Sequence, residues 1–452
     1  MTATPAPTEF FWETQPHAQR LVDGLTETFL NQHAMAARLA RRFDDEAGVR
    51  FGDCIDFIAV SPVGKHDGIE QELRDAGFTG PADRLEHHGG IFPIIQLLEG
   101  PPKLGIKVDR ADDFAATHQL TRPVHGEPGT RMRTVIEKDG DAELWAVERH
   151  GWSGFDLPED SAKACQRAQR WLEWFRTRPR SGDEEQAFER TLELVQQAKG
   201  ELHRDWVCDL FFQAERDFWM RRNRAAHVQY RRQQRVGIGW ANHDHHTYRS
   251  SRQGYAGLIA ILEALGLHCR ERFYPGKGAG WGAQVLEQPV THIVVFADVD
   301  MSPEELQTDF PHLGLAPRDE LGTVGLWCGL HGESMLAAGM HHLECTFDFE
   351  GLAKQLEHEA GIGMMNPFSS FDHLKQQFTE GERWAVDPAR VEKLRVAKLI
   401  TDAQADTFFK EGAIGSHMEN LERNDGFKGF NQNGITDIIT ETDPRRQTVG
   451  SH

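Results

Sequence analysis

The chain has 452 residues, with 50 Lys and Arg against 70 Asp and Glu, a formal charge of −20. Charged residues at 27% and apolar ones at 39% exclude a largely disordered chain. So negative a field argues against non-specific binding to nucleic acid or to an anionic membrane, and the length predicts two or three domains.

In chain order, a Pro/Thr/Ala tail gives way to a predicted helix over 18–43, with Leu21, Leu25, Phe29 and Met35 on one face. A strand follows at 54–60, a helix at 68–76 ending at Gly77, and strands at 91–98 and 104–108. Residues 162–176 and 185–235 read as helices with Trp171, Trp174, Trp206, Phe211 and Trp219 on their apolar faces. A strand over 243–249, a helix over 256–265 ended by Gly266, and strands at 282–286 and 292–296 then repeat the earlier order. Residues 96–108 and 284–296 correspond in that reading, with Gln96 beside Gln284 and Glu99 beside Glu287. Further on, 341–349 is strand-like, 352–359 and 391–411 helical, and 434–440 a final strand.

The fold class expected is therefore α+β, two degenerate βαβββ units forming a sheet core with added helices. The expected divisions are an N-terminal helical segment (1–50), a first unit (51–150), a helical insertion (151–238), a second unit with a His cluster (239–310) and a C-terminal α+β segment completing the site (311–452). The six cysteines are scattered singles with no C-x-x-C pair, which argues against a zinc ribbon, a thioredoxin motif or a disulfide scaffold. The N-terminus shows no secretory signal, and the most apolar stretch, 257–267, is too short for a bilayer and carries Glu263. A cytoplasmic protein is expected, and a homodimer is left open.

Twenty-three histidines are the informative surplus. In Asn242-His-Asp-His-His-Thr-Tyr-Arg249, strand alternation puts His243, His245, Thr247 and Arg249 on one face. Imidazoles there suit a divalent metal, and a guanidinium suits a substrate carboxylate. In His341-His-Leu-Glu-Cys-Thr346, His342 and Glu344 share a face, and with His245 would complete two imidazoles and a carboxylate. Glu287 and Asp437 are alternative carboxylates, and whether His243 binds is open. The pair His87-His88 reads as a loop, the 221–235 arginines as a solvated face, and Pro275–Gly280 as a hairpin loop rather than a phosphate cradle.

The strand-helix-three-strand repeats, with Asp244-His-His-Thr-Tyr-Arg249 on a first strand, resemble the vicinal oxygen chelate superfamily. Within it the chain is most similar to the 2-oxoadipate dioxygenase/decarboxylase family. That family's N-H-x-T-x-R strand matches 244–249, with Asp244 in place of Asn, and its L-x-E-G-P-P turn matches Leu97–Pro102. Its H-G-A-I-R strand is absent, the place being held by Asp53–Phe57. The resemblance implies a non-haem Fe(II) dioxygenase on a small acidic substrate, with His245 as ligand carried over; zinc, manganese or nickel would instead serve a lyase, isomerase or hydrolase. The expected site is His245, His342 and Glu344 on the metal, with Arg249 and Thr247 toward the substrate. A non-catalytic binding protein is the third reading.

Overall fold

The computed structural model describes residues 11–126, 132–148, 161–275, 278–431 and 443–445. Six strands form a first mixed sheet: β1 (Ile55–Val60), β2 (Ile94–Leu97), β3 (Lys103–Val108), β4 (Val124–His125), β5 (Arg133–Asp139) and β6 (Ala142–Glu148), in the order β2-β1-β3-β6-β5-β4. The second sheet takes β7 (His243–Arg249), β8 (His268–Phe273), β9 (Trp281–Glu287), β10 (Val294–Asp300), β11 (His342–Thr346), β12 (Ser369–Phe371) and β13 (Leu374–Phe378). After a separate ribbon of β14 (Glu382–Trp384) and β15 (Ala413–Ser416), β16 (Glu419–Arg423) returns to it, giving the order β12-β13-β16-β11-β7-β10-β9-β8.

Each sheet is built from two copies of one unit. In β7–β10, with the helix Tyr255–Ala264 after the first strand, the first strand lies parallel to the fourth, the fourth antiparallel to the third, and the third to the second. The set β11, Phe349–Ala360, β12, β13, β16 repeats this pairing, as does β3, Ala111–Thr117, β4, β5, β6. In the first copy, β1 and the helix Ile69–Asp75 lead to β2, and the two middle strands shrink to the bridges Thr79–Glu86 and Leu85–Ile95. Neighbouring copies join through their first strands, β1 against β3 and β7 against β11. The fold is α+β and made of βαβββ units, with four of them among the described residues where the sequence showed two.

That shrinkage explains a misread register. Residues 96–108 cross from the fourth strand of one unit into the first strand of the next, whereas 284–296 are the third and fourth strands of a single unit. Gln96 and Gln284 are therefore not equivalent. The strand β8 was not anticipated either: its first residues, His268, Cys269 and Arg270, are polar or small and partly exposed.

Several long helical patterns divide at polar caps. The 18–43 pattern is Pro16–Gln32 and Ala34–Ala47, broken where His33 turns extended and its Nδ1 accepts the Ala36 N–H. The 185–235 pattern is Glu184–Lys199, Arg204–Met220 and Arg224–Arg235, capped by Asp183, His203 and Asn223. The 391–411 pattern is Pro388–Val396 and Asp402–Glu411, the second opened by a Thr401–Gln404 capping box. The expected strand at 434–440, with Asp437, lies outside the described residues. No helix among the described residues is long and apolar enough to cross a membrane.

The helix Arg204–Met220 covers one face of β7. Phe212 stands 4.9 Å from the His246 ring and 6.3 Å from that of Tyr248. The Tyr248 hydroxyl donates to Glu215 at 3.3 Å, and Glu215 also holds Arg178 (2.7 Å) and Arg180 (2.5 Å) in a buried cluster. With that face committed to packing, the opposite face of β7 is left to carry a site.

Candidate metal centre

The seam between β7 and β11 is irregular at one point. Glu344 pairs with His245 and the next residue, Cys345, with His243, so Asp244 is an extra residue on β7. A bulge of this kind resets strand alternation. His243 is turned toward the His246 side, their rings 5.1 Å apart, and lines other cavities. The expectation that it shares a face with His245 fails for this reason.

His245, Thr247, Arg249, His342 and Glu344 do come together, all lining one cavity of about 60 Å³. His245 Nε2 lies 2.5 Å and His342 Nε2 2.8 Å from the same Glu344 oxygen, and Thr247 donates to that carboxylate at 3.3 Å. A residue not anticipated, Glu419 on β16, completes the set: it pairs with Glu344 across the parallel β11–β16 register and lies 3.7 Å from His342 Nε2. Ligand atoms of His342, Glu344 and Glu419 lie within 4.8 Å of one another, all three residues buried. In the sequence Glu419 follows His417 by two residues, the spacing of His342 and Glu344, a signal that could have marked it; the sheet order sets it beside Glu344.

The outer nitrogens of both imidazoles are held, leaving Nε2 to face the cluster. His245 Nδ1 meets Asp244 at 2.9 Å, and Asp244 is clamped by Arg423 at 3.0 Å. His342 Nδ1 meets His341 Nδ1 at 2.6 Å. The carboxylate behind His245 is the usual support for a metal-ligating histidine.

Electrostatics agree. Burial would raise the Asp244 carboxyl, but Arg423 and His245 outweigh it and keep it ionised. Burial holds the His245 imidazole down at about 4 and His342 lower than usual, so both are neutral donors at pH 7. Burial and mutual repulsion push Glu344 well up, and burial pushes Glu419 up to about 7. Among the described residues neither carboxyl is ion-paired with Arg or Lys. Two buried carboxyls and two neutral imidazoles, short of positive charge, fit a divalent cation.

Deeper in the cavity, Arg249 is buried, with Nε and Nη1 lacking hydrogen-bond partners and its guanidinium 5.7 Å from the Trp327 ring. Asp298, opposite on β10, also has an unpartnered oxygen, and burial lifts its carboxyl to about 7. Phe430 also lines the cavity, its ring 4.5 Å from that of Phe296 and 5.1 Å from that of His245. Phe430 also borders an outer cleft shared with the first sheet.

Other flagged residues fall elsewhere. Glu287 faces that cleft, bound to Arg270 at 3.0 Å and Lys428 at 3.6 Å, so it is not part of the cluster. His87 and His88 line the same cleft. In the arginine run, Arg232 is not solvated but buried against Gln229, Gln355 and Glu359, tying two helices together.

The first sheet carries the same seam without the donors. The β1–β3 pairing has its bulge at Asp56, which makes Phe57 the counterpart of His245, Gly105 of Glu344 and Lys103 of His342. The parallel partner of Gly105 is Trp145, standing where Glu419 stands. Phe57 packs so closely on Gly105 that any β-carbon there would overlap its ring. Phe57, Ala59 and Val147, with Trp145, form a small apolar cluster in place of the polar cavity.

No protein-family model matches the chain, and no curated protein does. Among solved structures it is similar to a protein of the glyoxalase superfamily from Ralstonia eutropha, at 13% identity and TM-score 0.34, over 49% of this chain and 84% of that one. A variant of 4-hydroxymandelate synthase from Streptomyces coelicolor aligns at 12% identity and TM-score 0.30, over 76% and 98%. The Mn(II)-bound glyoxalase from Novosphingobium aromaticivorans aligns at 9% identity and TM-score 0.19, over 82% of each chain. These are remote, partial overlaps, and the neighbours named include enzymes.

Proposed function

We propose that the chain is a metal-dependent enzyme of the vicinal oxygen chelate type, a non-haem Fe(II) dioxygenase acting on a small carboxylate or 2-oxo acid. One observation carries this reading: two imidazoles and two carboxyls without an Arg or Lys partner, from three adjacent strands, meet in one cavity beside an arginine with two unbonded nitrogens. His245 and His342 would hold the ion through Nε2, with Glu419 or Glu344 as the carboxylate; zinc, manganese and nickel are chemically admissible in the same set. When bound, the ion supplies a Lewis acid with open positions for the substrate's oxygens and for dioxygen.

The remaining work falls to the chain. The Arg249 guanidinium, whose Nε and Nη1 lack hydrogen-bond partners, would take the substrate carboxylate. Thr247 fixes the rotamer of Glu344. Phe273, Phe296, Phe368, Phe378 and Phe430 exclude water. At ~10–15 Å³ per water-sized atom, the cavity of about 60 Å³ admits only a small reacting end. The likeness of 244–249 to the 2-oxoadipate dioxygenase/decarboxylase strand supports a 2-oxo acid.

The test pairs elemental analysis with oxygen uptake over a panel of short 2-oxo acids. Iron in the wild type, its loss in His245→Ala, and uptake that depends on the acid are expected. Full metal content in His245→Ala overturns the metal assignment. Metal retention without oxygen uptake on any acid overturns the dioxygenase and leaves a lyase, isomerase or hydrolase.

A further inference from the structure

A second group of metal-ligating side chains lies at the outer edge of the second sheet. Glu263 is near the end of the helix Tyr255–Ala264, Cys269 is on β8, and His312 is in the turn Phe310–Leu313. One ligand atom from each lies within 4.8 Å of the others. His312 Nε2 is 2.8 Å from Glu263, and its Nδ1 is 2.7 Å from Asp309.

We propose that Glu263, Cys269 and His312 form a second divalent-metal site of the zinc class, with His312 ligating through Nε2 and Asp309 positioning its ring. This site is independent of the buried centre and of the function assigned to it. Sulfur, imidazole and carboxylate together select a borderline ion such as Zn²⁺ over Mg²⁺ or Ca²⁺. The Asp309–His312 contact reproduces the carboxylate support that metal-bound histidines carry. Three protein ligands leave a fourth position for water.

The geometry allows it. Binding takes Cys269 as the thiolate and His312 as the neutral imidazole, with the protons those atoms carry released to solvent. The Nε2–carboxylate gap must open from 2.8 Å to roughly 3.3 Å for two ligands ~2.0–2.1 Å from a tetrahedral ion. Both side chains are about 40% exposed and free to make that shift. The ion would then tie a helix end, a strand start and a turn of one βαβββ unit together.

Cobalt(II) is the probe, because a thiolate ligand gives it a near-ultraviolet charge-transfer band. The full-length wild type should show that band, lose it when zinc is added, and bind one more equivalent of metal than Cys269→Ser or His312→Ala. His245→Ala should keep the band, and Asp309→Asn should weaken cobalt binding ~10–100-fold. Zinc should also slow alkylation of Cys269 in the unmutated protein, followed by peptide mass, which does not depend on any variant folding. Absence of the band, equal stoichiometry in wild type and both ligand variants, or zinc-independent alkylation overturns the site and leaves His312 as an ion pair with two carboxylates.

Discussion

Asp244 has two jobs at one position: as the bulge residue it turns His243 away, and as a carboxylate it fixes the His245 ring. Asp244→Asn keeps the size but breaks the charged link from Arg423 to Nδ1. It should weaken metal binding at the buried centre ~10–100-fold, measured by competition with a chelator. Arg249→Gln removes the guanidinium proposed to hold the substrate carboxylate and should raise KM for the acid far more than it alters metal content, by steady-state kinetics and elemental analysis. His245, Thr247, Arg249, His342 and Glu344 were legible because residues two apart on a strand share a face. His243 was misplaced because a single inserted residue defeats that rule, and nothing in His243–Arg249 marks the bulge. Glu419 was missed although His417 stands two residues before it, because its partner, Glu344, is brought to it only by β16 returning beside β11.

At the scale of elements, the helix Arg204–Met220 is what keeps β7 in place. Its Glu215 is fully buried between Arg178 and Arg180 and accepts from Tyr248, so one carboxylate joins the helix, the 178–180 segment and the strand that carries the site. Glu215→Ala would leave two arginines without their counter-charge and should cost roughly 3–5 kcal/mol in a denaturant titration. The apolar periodicity of these helices was readable, and so were most strand cores. Their breaks were not: His33, His203 and Asn223 end the patterns through side-chain caps, and a cap is only a polar residue until the backbone turns beneath it. The four-unit repeat was half hidden for a related reason, since two strands of the first copy survive only as single bridges.

At the scale of the whole molecule, buried neutral histidines set the acid limb of stability. Burial holds His331 down at about 3, against an ordinary 6.5, while its Nε2 donates to the Ile414 carbonyl at 3.2 Å. The folded form thus stays neutral where the unfolded chain takes up a proton. Its contribution to stability is complete above about pH 6.5 and declines as pH falls toward 3. Melting temperatures recorded between pH 7 and 4 should fall less steeply for His331→Gln than for the wild type. The apolar seam of the first sheet carries a consequence for how substitutions are tolerated. Because Phe57, Gly105 and Trp145 occupy the stations of His245, Glu344 and Glu419, the chain holds an internal reference for its own site, the same backbone with chemistry removed. Damage at the first seam should register only as lost folding, as overpacking or cavities do. At the second seam the two properties should part company: Glu344→Gln, assayed with a chelator present, should raise stability by about 1–3 kcal/mol while impairing metal retention. A saturation screen scoring abundance and metal content separately would then distinguish the two seams of one protein by which of the two scores each one moves.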